Sequence, residues 1–172
     1  MAVLSLPNGI VITGSQDKSI NLWFKGTKQK EIPNAHDDII RQFTEVPGLG
    51  FASCSNDETV KLWTTDGNLL LTLKGHNGFV FAVTTLITGE IVSGGDDCTV
   101  KIWNSDGSCK QTISIPRTVW AITQNAVGDL LIGSEDYKVR CFTRDPERAN
   151  TGEEFKEYEE ELKSKTTSTD MA

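Results

Sequence analysis

Ser53-Cys54-Ser55-Asn56-Asp57-Glu58-Thr59-Val60-Lys61-Leu62-Trp63 returns forty residues later as Ser93-Gly94-Gly95-Asp96-Asp97-Cys98-Thr99-Val100-Lys101-Ile102-Trp103. Forty residues earlier stands Gly14-Ser15-Gln16-Asp17-Lys18-Ser19-Ile20-Asn21-Leu22-Trp23, and Phe142 takes the next aromatic place one residue early. An aspartate precedes each aromatic residue by six: Asp17, Asp57, Asp97 and Asp136. Self-similarity at a period of about forty marks stacked copies of one supersecondary unit. Function is therefore sought on the surface of a repeat scaffold, not in a catalytic cleft.

Within each copy, short β-branched runs alternate with turn residues. Gly9 to Ser15, Gly50 to Ser55, Thr59 to Trp63 and Thr99 to Trp103 are predicted strands. Asp66-Gly67 and Asp106-Gly107 are predicted hairpin turns leading into Asn68 to Leu73 and Ser108 to Ile113. Four short antiparallel strands per forty residues is the make-up of a propeller blade. With Gly75-His76 before and Trp103 after, the repeat resembles the WD40 blade. The predicted fold is all-β: four WD40 blades (about 1–34, 35–74, 75–114 and 115–145) of a seven-bladed propeller, with a short acidic C-terminal helix.

His36 and His76, the two histidines, each lie 21 residues before their blade's aspartate. In WD40 blades a histidine, the aspartate, a strand Ser/Thr and the tryptophan form a buried hydrogen-bonded tetrad. The resemblance implies two complete sets: His36, Ser53, Asp57, Trp63 and His76, Ser93, Asp97, Trp103. Buried carboxylates and indole N–H groups must find partners or destabilise the fold. His, Asp and Ser together could also suggest a catalytic triad. Architecture requires recurrence at the repeat spacing and catalysis does not, so the structural reading is preferred. No catalytic residue, metal site or cofactor is expected.

Composition narrows the partner. Formal net charge is −7, and residues 146–172 hold eight acids against four bases. The remaining −3 on the repeats disfavours a phosphate-binding face, so nucleic acid is not expected. The start, Met1 to Gly9, lacks a basic head and breaks at Pro7-Asn8-Gly9, so no signal peptide is expected. No apolar run approaches membrane-spanning length, and no membrane partner is expected. Cys54, Cys98, Cys109 and Cys141 show no metal-like spacing. Cys54 and Cys141 fall in strand patterns as small hydrophobes. A reducing compartment follows.

The repeats degrade at both ends. The first blade has Thr13, Asp17 and Trp23, but its histidine position falls outside the chain. The fourth has Pro116 for histidine, Ile132 for the strand Ser/Thr and Phe142 for tryptophan, and Arg144-Asp145-Pro146 leads straight into a polar segment. These features predict a piece of a longer propeller whose end blades bare apolar faces. Beyond them, Thr151-Gly152-Glu153-Glu154 is a capping box. It opens a helix with Phe155, Tyr158 and Leu162 on one face, read first as a solvated acidic helix and second as a partner-binding one. Ser164 to Ala172 is predicted to be a disordered tail.

Details beyond the generic blade resemble the phospholipase A-2-activating protein family. They are Ala35-His36-Asp37-Asp38-Ile39-Ile40-Arg41, Gly75-His76-Asn77-Gly78-Phe79-Val80 and Gly89-Glu90-Ile91-Val92-Ser93. More specific are Ile115-Pro116-Arg117-Thr118-Val119-Trp120, Gly128 to Ser134, and the following Glu153 to Glu159. The resemblance covers residues 1 to 163 and corresponds to blades four to seven. It implies a non-catalytic, ubiquitin-binding module of a p97/Cdc48 ATPase cofactor, acting in ubiquitin homeostasis and ubiquitin-dependent degradation. The ATPase would be met only through domains absent from this chain. A cytoplasmic location, extending to the nucleus, goes with that role. The alternative is a WD40 scaffold for another protein or peptide.

On such a propeller the residues flanking the first core valine and preceding the turn aspartate face the top rim. The expected partner-binding residues are Ile39, Arg41, Asn56, Phe79, Phe81, Asp96, Trp120 and Glu135. Phe79, Phe81 and Trp120 would form an aromatic centre, with Asp37, Asp38, Asp96 and Glu135 as an acidic margin. That pattern suits ubiquitin, whose aliphatic patch is ringed by basic residues. The alternative at Phe79, Phe81 and Trp120 is packing between blades.

Overall fold

The computed structural model describes residues 2–145. Contacts divide the chain into Met1–Cys141 and Phe142–Ala172, the second described only as far as residue 145. The predicted acidic helix and tail lie outside the described residues.

Among the described residues, fifteen strands form four antiparallel sheets, each taken from consecutive chain. The first sheet is β1 (Ala2–Ser5), β2 (Ile10–Gly14), β3 (Ile20–Phe24) and β4 (Thr27–Ile32). The second is β5 (Ile40–Val46), β6 (Gly50–Ser55), β7 (Thr59–Thr64) and β8 (Leu69–Lys74). β9 (Val80–Thr85), β10 (Ile91–Gly95), β11 (Thr99–Trp103) and β12 (Cys109–Ser114) make the third. The fourth has β13 (Val119–Gln124), β14 (Leu130–Ser134) and β15 (Val139–Phe142) among the described residues. β1 pairs with β2 from Ala2↔Gly14 to Ser5↔Val11, so that sheet has four strands and only the histidine has no counterpart.

Local chemistry makes the turns. Each repeat aspartate accepts the backbone N–H two residues on: Asp17 Oδ1 from Ser19 at 3.0 Å, Asp57 Oδ1 from Thr59 at 3.0 Å, Asp97 Oδ1 from Thr99 at 3.1 Å. That bond closes the turn and lets the residue between adopt positive φ, at Lys18, Glu58, Cys98 and Tyr137 alike. Asp66-Gly67 and Asp106-Gly107 turn where predicted, the glycines at φ 71° and 88°.

Strand alternation then sorts side chains to two faces. Ile12, Ile20 and Leu22 of the first blade meet Ile40, Phe43, Phe51 and Trp63 of the second in one core cluster. Ala52, Cys54, Val60, Leu62 and Leu73 of the second meet Val80, Val83, Ile91 and Trp103 of the third in another. Full burial of such a side chain contributes about 1.5–3 kcal/mol relative to exposure. At Gly14 a Cβ would lie 2.6 Å from Phe43 and 2.9 Å from Ile40; at Gly94 it would lie 2.8 Å from Val119 and Ile122. Those positions are glycine because the next blade inserts there. Cys54 lies in this core, and burial pushes its thiol up to about 12, which leaves it unreactive. The expectation for Cys141 is corrected: it is exposed, because among the described residues no strand layer covers its face of β15.

Candidate functional site

Both tetrads are hydrogen-bonded end to end. His36 Nδ1 lies 2.7 Å from Asp57 Oδ2 and Nε2 lies 2.7 Å from Ser53 Oγ, which also accepts the Trp63 indole N–H at 2.8 Å. In the third blade the corresponding distances among His76, Asp97, Ser93 and Trp103 are all 2.8 Å. Tryptophan only donates and the carboxylate only accepts, so the chain closes with the imidazole hydrogen on Nδ1. The serine hydroxyl then donates to Nε2, and each of these groups has a partner. Ser53 and Ser93 are fully buried, so no substrate carbonyl can reach them and the pattern buttresses the fold.

The carboxylates are bound tightly. Burial pushes Asp57 up, but His36, Thr59 and the backbone of Asp37 more than offset it and hold the carboxyl well below its usual range. Asp97 is depressed in the same way, against the same burial, by His76, Asn77 and Thr99. A carboxyl depressed on folding stabilises above its unfolded pKa of about 3.9 and loses that contribution as pH falls below it. The melting temperature should therefore be insensitive to these two groups above about pH 5 and fall below about pH 4. Asp57→Asn with Asp97→Asn should flatten the fall. An acid limb unchanged by the pair would count against it.

The end blades vary the theme. Trp23 donates to Thr13 Oγ1 at 2.9 Å, while Asp17 is held by Ser19 alone. In the fourth blade the Arg140 guanidinium takes the missing histidine's role, bonding both oxygens of Asp136, and reaches Ser134 Oγ at 2.6 Å. Arg140 and Ser134 hold the Asp136 carboxyl well below its usual range. Sequence reading missed this pair. Its signal is an arginine where Lys61 and Lys101 stand, in the one repeat whose histidine is replaced by proline.

The expected rim residues meet through a feature the sequence reading also missed. The first strand of each of the last three blades carries a β-bulge, between Ile40 and Gln42, at Gly94/Gly95 opposite Val80 and Ala82, and between Val119 and Ala121. The unpaired residues are Arg41, Phe81 and Trp120. Asn56 N bonds Ile39 O at 3.0 Å, Asp96 N bonds Phe79 O at 2.8 Å and Glu135 N bonds Thr118 O at 2.9 Å, closing each bulge identically. A bulge re-aims the side chain it carries. Here it brings three side chains from three blades into one stack. Phe81 and Trp120 lie 4.6 Å apart at 11°, the Arg41 guanidinium sits 5.4 Å from the Phe81 centroid, and Phe79 meets Phe81 edge-on at 6.2 Å. Stacking and cation–π contacts of this kind contribute about 0.5–1.5 kcal/mol each.

Trp120 remains 55 % exposed and Phe79 42 % exposed, with Arg41, Asp37, Asp96 and Glu135 also open to solvent. Asn56 is a correction: it is 7 % exposed and accepts Arg41 Nε at 2.7 Å, so it supports the stack from behind and offers no contact surface. Ile39 and Phe81 are half-buried, and buried Thr118 donates to exposed Asp96 at 3.3 Å. Odd spacing between core residues, Ile40 to Phe43, Val80 to Val83 and Val119 to Ile122, is the trace the bulges leave in the sequence.

No helix among the described residues is long and apolar enough to cross a membrane. The WD domain, G-beta repeat family matches residues 67–104. The chain is 42 % identical to the ubiquitin homeostasis protein lub1 of Schizosaccharomyces pombe over 129 residues, 74 % of this chain and 18 % of that protein. It is 35 % identical to protein DOA1 of Saccharomyces cerevisiae, over 48 % of this chain and 18 % of that protein. The crystal structure of the WD40 β-propeller domain of Doa1 superposes with a TM-score of 0.79 at 37 % identity, covering 87 % of this chain and 52 % of that one. The chain thus spans about one fifth of the curated relatives it matches and half of the solved propeller. With one sheet order repeated along the blades, bulges in the last three and complete tetrads in the middle two, the chain is a WD40 propeller segment belonging to the phospholipase A-2-activating protein/Doa1 family.

Proposed function

We propose that this chain is a non-catalytic ubiquitin-binding module, with the Arg41–Phe81–Trp120 stack as its contact surface. The observation that carries this reading is the convergence of three bulge residues into one exposed aromatic and cationic ridge beside Asp96 and Glu135. Aromatic anchors with a polar margin are what protein interfaces use. Kinship with a ubiquitin homeostasis protein supports ubiquitin as the partner, since its aliphatic patch and basic surround complement that ridge. Engagement of a p97/Cdc48 ATPase belongs, in this proposal, to regions outside these 172 residues. Its place of action would be the cytoplasm and nucleus, where ubiquitin-dependent turnover runs.

Titration of isotope-labelled ubiquitin with the chain tests the reading. A small rim should give a micromolar or weaker Kd, with shifts confined to one face of ubiquitin. Trp120→Ala should weaken binding about tenfold or more while lowering the melting temperature only slightly, because the side chain is largely exposed and gives up one stacking contact with Phe81. Arg41→Ala and Phe79→Ala should act in the same direction. Lys110→Ala should have no effect, since Lys110 pairs with Glu90 on an outer strand. Ubiquitin resonances that stay still would refute the proposal.

A further inference from the structure

We infer that β8, the outer strand of the second blade, takes an extended segment of a partner protein as an added strand, and that this segment carries alternate aliphatic residues between acidic flanks. The outer strands β4, β8 and β12 end their sheets, and among the described residues no strand pairs with their outer edges. Such an edge offers free backbone N–H and C=O groups, which folded proteins usually blunt with charge. Strand register sets the three side by side. Each has a bulge at the same place: Leu22↔Lys30 then Trp23↔Lys28, Leu62↔Leu71 then Trp63↔Leu69, Ile102↔Gln111 then Trp103↔Cys109. Lys28-Gln29-Lys30 and Cys109-Lys110-Gln111 therefore stand where β8 has Leu69-Leu70-Leu71. Leu69 is 51 % exposed and Leu70 41 % exposed.

The leucines change what lies between blades. Lys30 reaches from the first blade to the turn of the second, donating to Asp66 O at 2.7 Å, Gly67 O at 3.1 Å and Asn68 Oδ1 at 3.1 Å. The groove there is lined by Asn8, Gln29, Lys30 and Asp66 beside its apolar residues. Leu71 holds the place of Lys30 in β8 and can make no such bonds to the turn of the third blade. The groove between the second and third blades, of about 360 Å³, is instead walled by Leu49, Leu62, Leu70, Leu71 and Trp103, with Asn104 and Ser105 as its polar side chains. A strand added to β8 would be held by main-chain bonds and would send alternate aliphatic side chains into this groove. Charge selects the partner. β4, β8 and β12 hold Lys28, Lys30, Lys74 and Lys110 against Glu31 alone, although the whole chain carries −7. The edge of a second copy would bring like charge, which opposes pairing, whereas an acidic segment complements it. Both sheets that form the groove lie inside the described segment, so further blades beside the first or fourth sheet would leave β8 open.

Fluorescence anisotropy of a labelled peptide, Glu-Glu-Leu-Thr-Leu-Thr-Leu-Glu-Glu, titrated with residues 1–172 tests this. Saturable binding is expected, weaker at high ionic strength and several-fold weaker for a peptide with lysine in place of glutamate. N-methylating one set of alternate peptide amides should abolish binding and the other set should not, because a strand turns alternate N–H groups toward its neighbour. Leu69→Lys and Leu70→Gln, which import the β4 residues at exposed positions, should each weaken binding about tenfold with unchanged circular dichroism. No anisotropy change up to millimolar protein overturns the inference. So does equal binding of the lysine-flanked peptide, equal effects of the two methylation sets, or binding undiminished in both variants. A dimer of the chain alone that dissociates on Leu70→Gln would make the occupant a second copy and overturn the acidic partner.

Discussion

Trp103→Ala is expected to cost about 3–5 kcal/mol, the largest single effect in the chain. The indole is 1 % exposed and fills the core between the second and third blades with Val46, Leu62 and Leu73. Removing it leaves a cavity that backbone paired on both sides of β11 cannot collapse into. Its N–H bond to Ser93 is the lesser part, since Ser93 keeps His76 as a partner. Trp103→Phe should therefore recover much of the loss. Trp23→Ala, at the equivalent but only half-buried position, should cost distinctly less. Denaturant unfolding of the three variants checks the order, and equal losses at Trp23 and Trp103 would contradict the blade-stacking account.

Asp57→Ala or Asp97→Ala should each destabilise by about 2–4 kcal/mol. Asp57 accepts from His36, Thr59 and the backbone of Asp37 at 2.7–2.9 Å through its two oxygens. Its removal leaves a buried imidazole N–H without a partner and opens the turn that positions Glu58 and Thr59. Asp17→Ala, lacking a histidine partner, should cost much less. Because His36 and His76 are 0 % and 5 % exposed, solvent cannot replace the lost bonds. Thermal melts that place all three variants together would remove the tetrads as a source of stability.

How much of this was legible depends on the distance over which each feature is encoded. The tetrads could be placed from the sequence because three members lie within eleven residues and the fourth at a constant offset of 21, repeated twice. The Asp-centred turns are local for the same reason, as are the Asp-Gly hairpins. By contrast, the Arg140–Asp136 pair departs from the repeat and shows only as a substitution without an obvious meaning until the guanidinium is seen on the carboxylate. Asn56 was placed on the rim by position, yet folding buries it under Arg41.

Period, strand order and blade identity were determined by the sequence alone, since alternation and turn chemistry act between residues a few positions apart and are stated four times. Tertiary structure decided which equivalent side chains are covered. Val100 and Val139 occupy the same place in the same unit, but Val100 is buried against the fourth blade while Val139 is exposed. It also decided the site: Arg41, Phe81 and Trp120 are about forty residues apart and form a stack only because three bulges, closed by bonds between neighbouring strands, turn them toward one another. Burial and convergence are properties of neighbours in space, and a repeat tells what each unit is without telling what stands beside it.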